Sequence, residues 1–328
     1  MGTLYLTEQG SVVTQTGERL LVRKDGKVLH DVPALHVDQI VVFGNAGFTT
    51  PAVRFVLENG IDVAYLTSRG TYRGRYQPEW TKDASLRHQQ YQRSLDEAFC
   101  LRVAQSIVAG KIRNTVAFSR RQRRLSRDGK RQLTAIDALL PKVQSATSLD
   151  QLMGYEGTAA AMYYRVFRTL LQTNLGFQGR KAHPPTDPVN ALLSLGYTLL
   201  YNHLYAAINI VGLDPYQGFL HQRKHGHAAL ASDLVEEWRA IIVDSIVLTV
   251  INRHEIKQHD FHSTPQGLRL TKAALTRFLK RYDARVNETV FAPDLQGKTT
   301  YRRVFELQVR QLARVISEAQ HTYQPFQV

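Results

Sequence analysis

Apolar and polar positions alternate in short runs over residues 3–76, then change to a period near 3.6 that persists toward the C-terminus. TLYL, SVVTQT, ERLLVRK and HVDQIVVFG join β-branched and apolar residues between Gly, Asp-Gly and Pro breaks, which predicts strands. TPAVRFVLE predicts one helix with Pro51 in its first turn, IDVAYLT returns to strand, and SRGTYRGRY predicts a turn and a last strand. The polar segment QPEWTKD separates this part from the rest. Beyond it, helices are predicted near 85–109, 111–125, 131–144, 149–173, 188–211, 229–252, 270–286 and 299–319. Ser148 and Gln151 make a capping-box pattern, and Gly179–Thr186 and Gly218–Ala228 are predicted loops. The predicted class is α+β: a small β-rich domain at 1–77, a linker at 78–84 and a large all-α catalytic domain at 85–328.

The stretch 191–213 carries no formal charge and approaches the length of a membrane span. Asn202, His203 and Asn209 interrupt it, and Asp187-Pro188 supplies a cap and a first-turn proline, so a buried central helix is expected instead. Length favours two domains, and 43% apolar with 21% charged residues is ordinary for a globular chain. The charge is less ordinary. Forty-two Lys and Arg against 28 Asp and Glu give a net charge of +14 and a pI near 9.9. A polyanion such as nucleic acid is the expected partner, with an anionic membrane surface as the competing one. A single cysteine, Cys100, excludes an internal disulfide framework and fits a cytoplasmic protein. MGTLYLTEQG lacks a signal peptide's regions, and Leu6 breaks the myristoylation pattern.

Candidate chemistry sits in two helices. MGYEG places Glu156 beside Gly157 and Ala159–Ala161, small residues that let a neighbouring helix approach and bury the carboxylate. A buried carboxylate needs a cation, either an arginine or a metal. Further on, His221 precedes a helix carrying Asp233 and Glu236 three residues apart on one face, while Glu237 and Asp244 are expected to point elsewhere. Carboxylates with one imidazole suit Mn²⁺ or Mg²⁺ better than Zn²⁺. The alternative is a helix whose acids pair with Arg239 and Arg223. His225 and His227 are expected as loop histidines or phosphate contacts. Arg54, Arg69, Arg73, Arg75, Lys111, Arg120, Arg121, Arg223 and Lys224 are candidate DNA phosphate contacts, Tyr72 and Tyr76 being interleaved with the arginines of RGTYRGR.

Several long segments in order resemble the Cas-one family of CRISPR-associated endonucleases, the spacer-acquisition integrases. DVPALHVDQIVVFGNAGFTTPAVRFVLENGIDVAYLTSRGTYRGR is similar to the family's β domain, and MGYEGTAAAMYYRVF resembles its first catalytic motif. GLDPYQGFLHQRKHGHAALASDLVEEWRAIIVD resembles the second and third, and LTKAALTRFLKRYDARV, YRRVFELQVRQLARVI and YQPF fit the tail. The resemblance implies Glu156, His221 and Glu236 as ligands of Mn²⁺ or Mg²⁺, with Asp233 as an auxiliary acid. Some relatives have Asp where this chain has Glu236, and the longer side chain still offers a carboxylate. Relatives splay DNA forks with an aromatic near the first strand turn, where this chain has Gln9 and, nearby, Tyr5.

The resemblance further implies a homodimer joined through its β domains and a heterohexamer with a small ferredoxin-like Cas-two partner. The substrates implied are a double-stranded prespacer with 3′ ends and CRISPR repeat DNA, joined by phosphodiester exchange. Water as nucleophile gives hydrolysis at the same site. Alternatives are a stand-alone structure-selective nuclease of branched DNA and a non-catalytic DNA-bridging scaffold. A transposon-encoded integrase is also considered, but the chain ends soon after TYQPFQV, without the expected further DNA-binding module.

Overall fold

The computed structural model describes residues 2–68, 72–77, 84–181, 184–221, 224–265, 267–292, 297–318 and 320–328. The expected linker at 78–84 falls almost wholly outside them. The chain divides into two compact units, Met1–Trp80 with Arg269–Asp283, and Thr81–Leu268 with Ala284–Val328.

The first unit holds strands β1 (Gly2–Leu6), β2 (Ser11–Thr16), β3 (Arg19–Lys24), β4 (Lys27–Pro33), β5 (Val37–Phe43) and β6 (Ala46–Phe48). Helix α1 (Thr50–Glu58) and strands β7 (Asp62–Leu66) and β8 (Tyr72–Tyr76) follow. One sheet runs β1-β5-β7-β8, with β5 parallel to both neighbours and β8 antiparallel to β7. The other runs β4-β3-β2-β6. Val13, Leu20, Val22, Ile40, Val42, Val56 and Val63 fill a common core, each at most 1% exposed. Strand β5 is buried along most of its length, as expected of a strand flanked on both sides, and its second half, Ile40–Phe43, is an unbroken apolar run. The sequence did not predict β4 or β6. Residues 27–31 of β4 are all exposed, so this edge strand has no inward face to generate alternation.

The remaining elements are α2 (Ala84–Arg93), α3 (Glu97–Arg120), α4 (Arg127–Asp137), α5 (Leu140–Gln144), α6 (Leu149–Leu170), α7 (Pro188–Val211), α8 (Ala229–Val235) and α9 (Ser245–Asn252). Strands β9 (Phe261–Thr264) and β10 (Gly267–Leu270) follow, then α10 (Lys272–Val286), an antiparallel pair β11 (Thr289–Ala292) and β12 (Gly297–Thr300), and α11 (Tyr301–Ile316). These short strands interrupt the expected all-helical region.

Helix α7 is the central helix anticipated: Asp187 accepts from Asn190 N at 2.9 Å, Pro188 opens the first turn, and Gly212 ends it at φ +95°. No helix among the described residues is long and apolar enough to cross a membrane. Several boundaries differ from expectation: the helix expected over 131–144 is split into α4 and α5, and α6 ends at Leu170. Helix α3 runs through Gly110 and begins instead at Asp96, whose carboxylate accepts from Phe99 N at 3.0 Å. Gly110 answers to packing: a Cβ there would lie 2.4 Å from Pro325 Cβ of the C-terminal segment. The segment expected as one helix over 229–252 changes pitch: α8 ends in a tight turn at Glu236–Trp238, and a wide turn at Arg239–Asp244 leads into α9.

Candidate active site

Within the second unit, α3 packs against α6, α4 and the turn at Glu236–Trp238. Their side chains wall a cavity of about 600 Å³ whose lining includes Lys111, Glu156, Tyr163, Tyr164, Arg180, His221, Glu236, Arg239 and Asp244. Of the small residues expected to admit a neighbouring helix, only Ala159 is buried; Gly157 and Ala161 are exposed, and a Cβ on Gly157 would meet nothing within 4 Å. A second cavity, about 620 Å³, lies beside the segment Thr322–Gln327 and contains neither carboxylate nor imidazole. The chemistry belongs to the first.

Two of the three expected metal ligands converge on a single atom. The Lys111 ammonium, from α3, contacts Glu156 Oε1 on α6 and Glu236 Oε2 at the end of α8. Arg239 Nη1 donates to Glu236 Oε1 at 3.0 Å, and its guanidinium lies 4.1 Å from the Tyr197 ring centroid. The ion-pair alternative is therefore present for Arg239; Arg223 lies outside the described residues. Glu236 Oε2 is buried, and the Lys111 ammonium is its partner there.

Burial alone would raise the Glu236 pKa, but Arg239 and Lys111 hold it down at about 2. Burial likewise works against the Lys111 ammonium, yet Glu236 and Glu156 keep its pKa above the ordinary value.

His221 is placed by Asp233. Both Asp233 oxygens are occupied: Oδ2 accepts from Phe219 N at 2.6 Å and Leu220 N at 3.0 Å, and Oδ1 accepts from His221 N at 2.9 Å. Oδ1 also lies 2.8 Å from His221 Nδ1. Gly218 permits this, because a Cβ there would stand 2.7 Å from Asp233 Oδ2. Asp233, expected either as an auxiliary ligand or as an acid behind the ligands, is fully buried and takes the second place, holding the loop and His221 Nδ1. With Nδ1 facing the carboxylate, His221 Nε2 makes no hydrogen bond among the described residues. Burial pulls the His221 pKa down, but the hydrogen bond and charge of Asp233 leave it raised.

Asp244 was expected to point elsewhere, yet it lines the cavity. The wide turn at Arg239–Asp244 shifts the helical phase and aims it at α6 and α7, where Tyr163 donates to Oδ2 at 2.7 Å and Tyr197 donates to Oδ1. Burial raises its pKa despite those two hydroxyls and the nearby Arg239 and Arg180. Glu237 does point away: Tyr323 Oη donates to it at 2.6 Å and Phe326 N at 2.9 Å. Arg180 was not singled out from sequence. It reaches Asn190 and Ser194 on α7 and lies 5.2 Å from the Tyr197 ring.

The expected DNA contacts are scattered in kind. Arg54, Arg73, Arg121 and Lys224 are exposed, and Arg120 is exposed while pairing with Asp137 at 3.1 Å. Arg69 and Arg223 lie outside the described residues. Arg75 and Lys111 are turned inward: Arg75 Nη1 meets Asp62 Oδ1 at 3.1 Å with 6% of its side chain exposed, and Lys111 belongs to the carboxylate cluster. His227 packs 6.2 Å from the His221 ring and lies 3.2 Å from Ser232 Oγ, while His225 is exposed. Gln9 is tied to the turn after β5, donating to Phe43 O at 2.7 Å and accepting from Asn45 N at 2.8 Å.

Comparison with known proteins fits this arrangement. Residues 4–284 match the family described as CRISPR associated protein Cas1. The whole chain is 36% identical to 98% of "CRISPR-associated endonuclease Cas1 3" of Thermus thermophilus. A solved Cas6-RT-Cas1–Cas2 complex superposes on 99% of the chain with TM-score 0.85 and 29% identity, the match spanning 36% of that longer polypeptide. A casposase bound to integration product matches 99% of this chain and 93% of its own, at TM-score 0.84 and 25% identity. On these grounds the chain belongs to the CRISPR-associated Cas1 family.

Proposed function

We propose that this chain is a metal-dependent DNA endonuclease and integrase of CRISPR adaptation. It would join prespacer 3′-hydroxyl ends to CRISPR repeat DNA by phosphodiester transesterification. The observation that carries this reading is the convergence of Glu156 and Glu236 on one cation, with His221 on the same cavity wall. The donor set fits a hard divalent ion: two carboxylates that already share one cation, and an imidazole nitrogen with no competing partner among the described residues. Among the described residues no ready three-ligand shell stands open, because the Lys111 ammonium occupies the meeting point of the carboxylates.

Mn²⁺ or Mg²⁺ held by Glu156, Glu236 and His221 Nε2 would acidify the attacking hydroxyl and offset charge growing on the phosphate. The protein's own groups divide the remaining work. Asp233 holds Nδ1 so that Nε2 keeps its lone pair toward the cavity. Arg239, fixed by Glu236 and the Tyr197 ring, presents a cation to the phosphate from the cavity wall. A net charge of +14 favours a polyanion at any sequence. A small Cas2-type partner is supported by the likeness to the Cas6-RT-Cas1–Cas2 complex, and strand joining by the likeness to the casposase bound to integration product; a homodimer completes the proposed assembly.

The test is a joining assay. A labelled duplex with 3′-hydroxyl ends is incubated with repeat-bearing plasmid and Mn²⁺, with and without the small partner. Glu156→Ala, His221→Ala and Glu236→Ala should each lose joining per folded molecule while still binding duplex. Retained joining in folded variants would refute the assignment. Cleavage of branched DNA that never needs the partner or the repeat would favour a stand-alone nuclease.

A further inference from the structure

We propose that Lys111 is a built-in counter-cation: its ammonium keeps Glu156 and Glu236 converged before a divalent ion binds, and it yields the site when the ion arrives. The inference rests on the metal reading above and adds to it a residue with a defined role toward the ion. Its basis is charge balance in a confined space. Glu156 and Glu236 keep 16% and 9% of their side chains exposed, and both press on one lysine that keeps 15%. Without a cation between them, two carboxylates at this separation would repel strongly at low dielectric. Lys111 and Arg239 together neutralise the pair. A divalent ion added to that balanced set would leave two surplus positive charges in the cavity, which is costly.

Departure of Lys111 removes one of the two surplus charges, and a bound phosphate would remove the other. Lysine suits the part, since its point charge sits on a flexible four-carbon stem, whereas Arg239 is pinned by Glu236 Oε1 and the Tyr197 ring. The adjoining cavity of about 600 Å³ gives the displaced amine somewhere to go. Lys111 thereby acts as a positioning residue, acting on the ligands in place of the ion.

The full chain is titrated with Mn²⁺ alone by calorimetry, as wild type and as Lys111→Met, and the metal-free melting temperatures are compared. Wild type should bind Mn²⁺. Lys111→Met should bind at least about tenfold more tightly, because it has no competing ammonium. Its metal-free form should melt several degrees lower, a gap that Mn²⁺ closes. In parallel, wild-type Lys111 is labelled with an amine reagent and read by mass spectrometry. Its labelling should rise several-fold on adding Mn²⁺, while that of exposed Lys130 stays constant.

Equal or weaker Mn²⁺ binding by Lys111→Met would overturn the proposal and leave the metal reading intact. So would unchanged Lys111 labelling, which decides alone if the variant does not fold. No Mn²⁺ heat in wild type would instead overturn the metal reading, and this proposal with it.

Discussion

Two buried ion clusters, one in each unit, use the same chemical groups to different ends. In the first unit Asp62 opens β7 with its oxygens divided between Arg75 on β8, at 3.1 Å, and Gln39 on β5, at 3.0 Å. One cation meets one anion, a neutral amide takes the second oxygen, and the three residues sit on adjacent strands. In the second unit two cations meet two carboxylates drawn from α6 and the end of α8, and one ammonium is shared by both carboxylates. A cavity opens beside them, with an imidazole on its wall. A buried salt bridge on its own says little about function. The adjoining space and the imidazole on its wall separate a site from a staple.

The comparison breaks most directly through substitution. Loss of a metal ligand by Glu156→Ala, His221→Ala or Glu236→Ala should lower joining by about 10³-fold or more. Duplex binding, measured by anisotropy, should stay within about threefold, because phosphate contacts elsewhere carry it. Asp62→Ala should differ from Glu236→Ala in rate, not in stability, since both remove the partner of a buried cation. It strands Arg75 in a buried setting and costs about 3 kcal/mol in urea unfolding, with the rate per folded molecule unchanged. A large activity loss in Asp62→Ala would erase the distinction between the clusters.

Acid separates the clusters by sign. The Glu236 carboxyl falls from 4.5 to about 2 in the fold, so its contribution is complete above 4.5 and is lost as pH drops toward 2. That contribution is about 3 kcal/mol at most. Burial outweighs Arg75 at Asp62 and raises its pKa above 3.8, so the folded state holds that proton longer. Stability from Asp62 therefore declines as pH rises from 3.8 through its raised value. Unfolding free energies across pH 2–7 should show Glu236→Gln removing part of the acid-side loss and Asp62→Asn removing part of the decline at higher pH. Slopes of the same sign in both variants would contradict this.

The smallest expected effect sharpens the account of Asp233. Asp233→Asn keeps one acceptor for the Phe219–His221 backbone but weakens the grip on Nδ1, so Mn²⁺ affinity should fall about 10- to 100-fold with the fold retained. Calorimetry reads this directly, and unchanged affinity would show that Asp233 only holds the loop.

What the sequence displayed and what it concealed follow from range. Helix α7 was legible because its signals are local: Asp187 as cap, Pro188 in the first turn, Gly212 at the end. The break placed at Gly110 failed because that glycine answers to Pro325, more than 200 residues away, and not to its own helix. Lys111 looks like the first residue of a basic run, KIRN; its carboxylate partners lie 45 and 125 positions downstream, so nothing near it marks an interior cation. Asp244 was misjudged by assuming a constant 3.6-residue pitch across a segment that tightens and then widens. Family likeness, by contrast, named Glu156, His221 and Glu236 from motifs alone, and the fold brings all three to one cavity.

The most direct measurement is anomalous diffraction at the manganese edge from crystals grown with Mn²⁺. The account predicts one strong peak about 2.1–2.3 Å from a carboxylate oxygen of Glu156, one of Glu236 and the Nε2 of His221, at the place the Lys111 ammonium occupies without the ion. Lys111 seated between both carboxylates at saturating Mn²⁺, with no anomalous signal in the cavity, would contradict it.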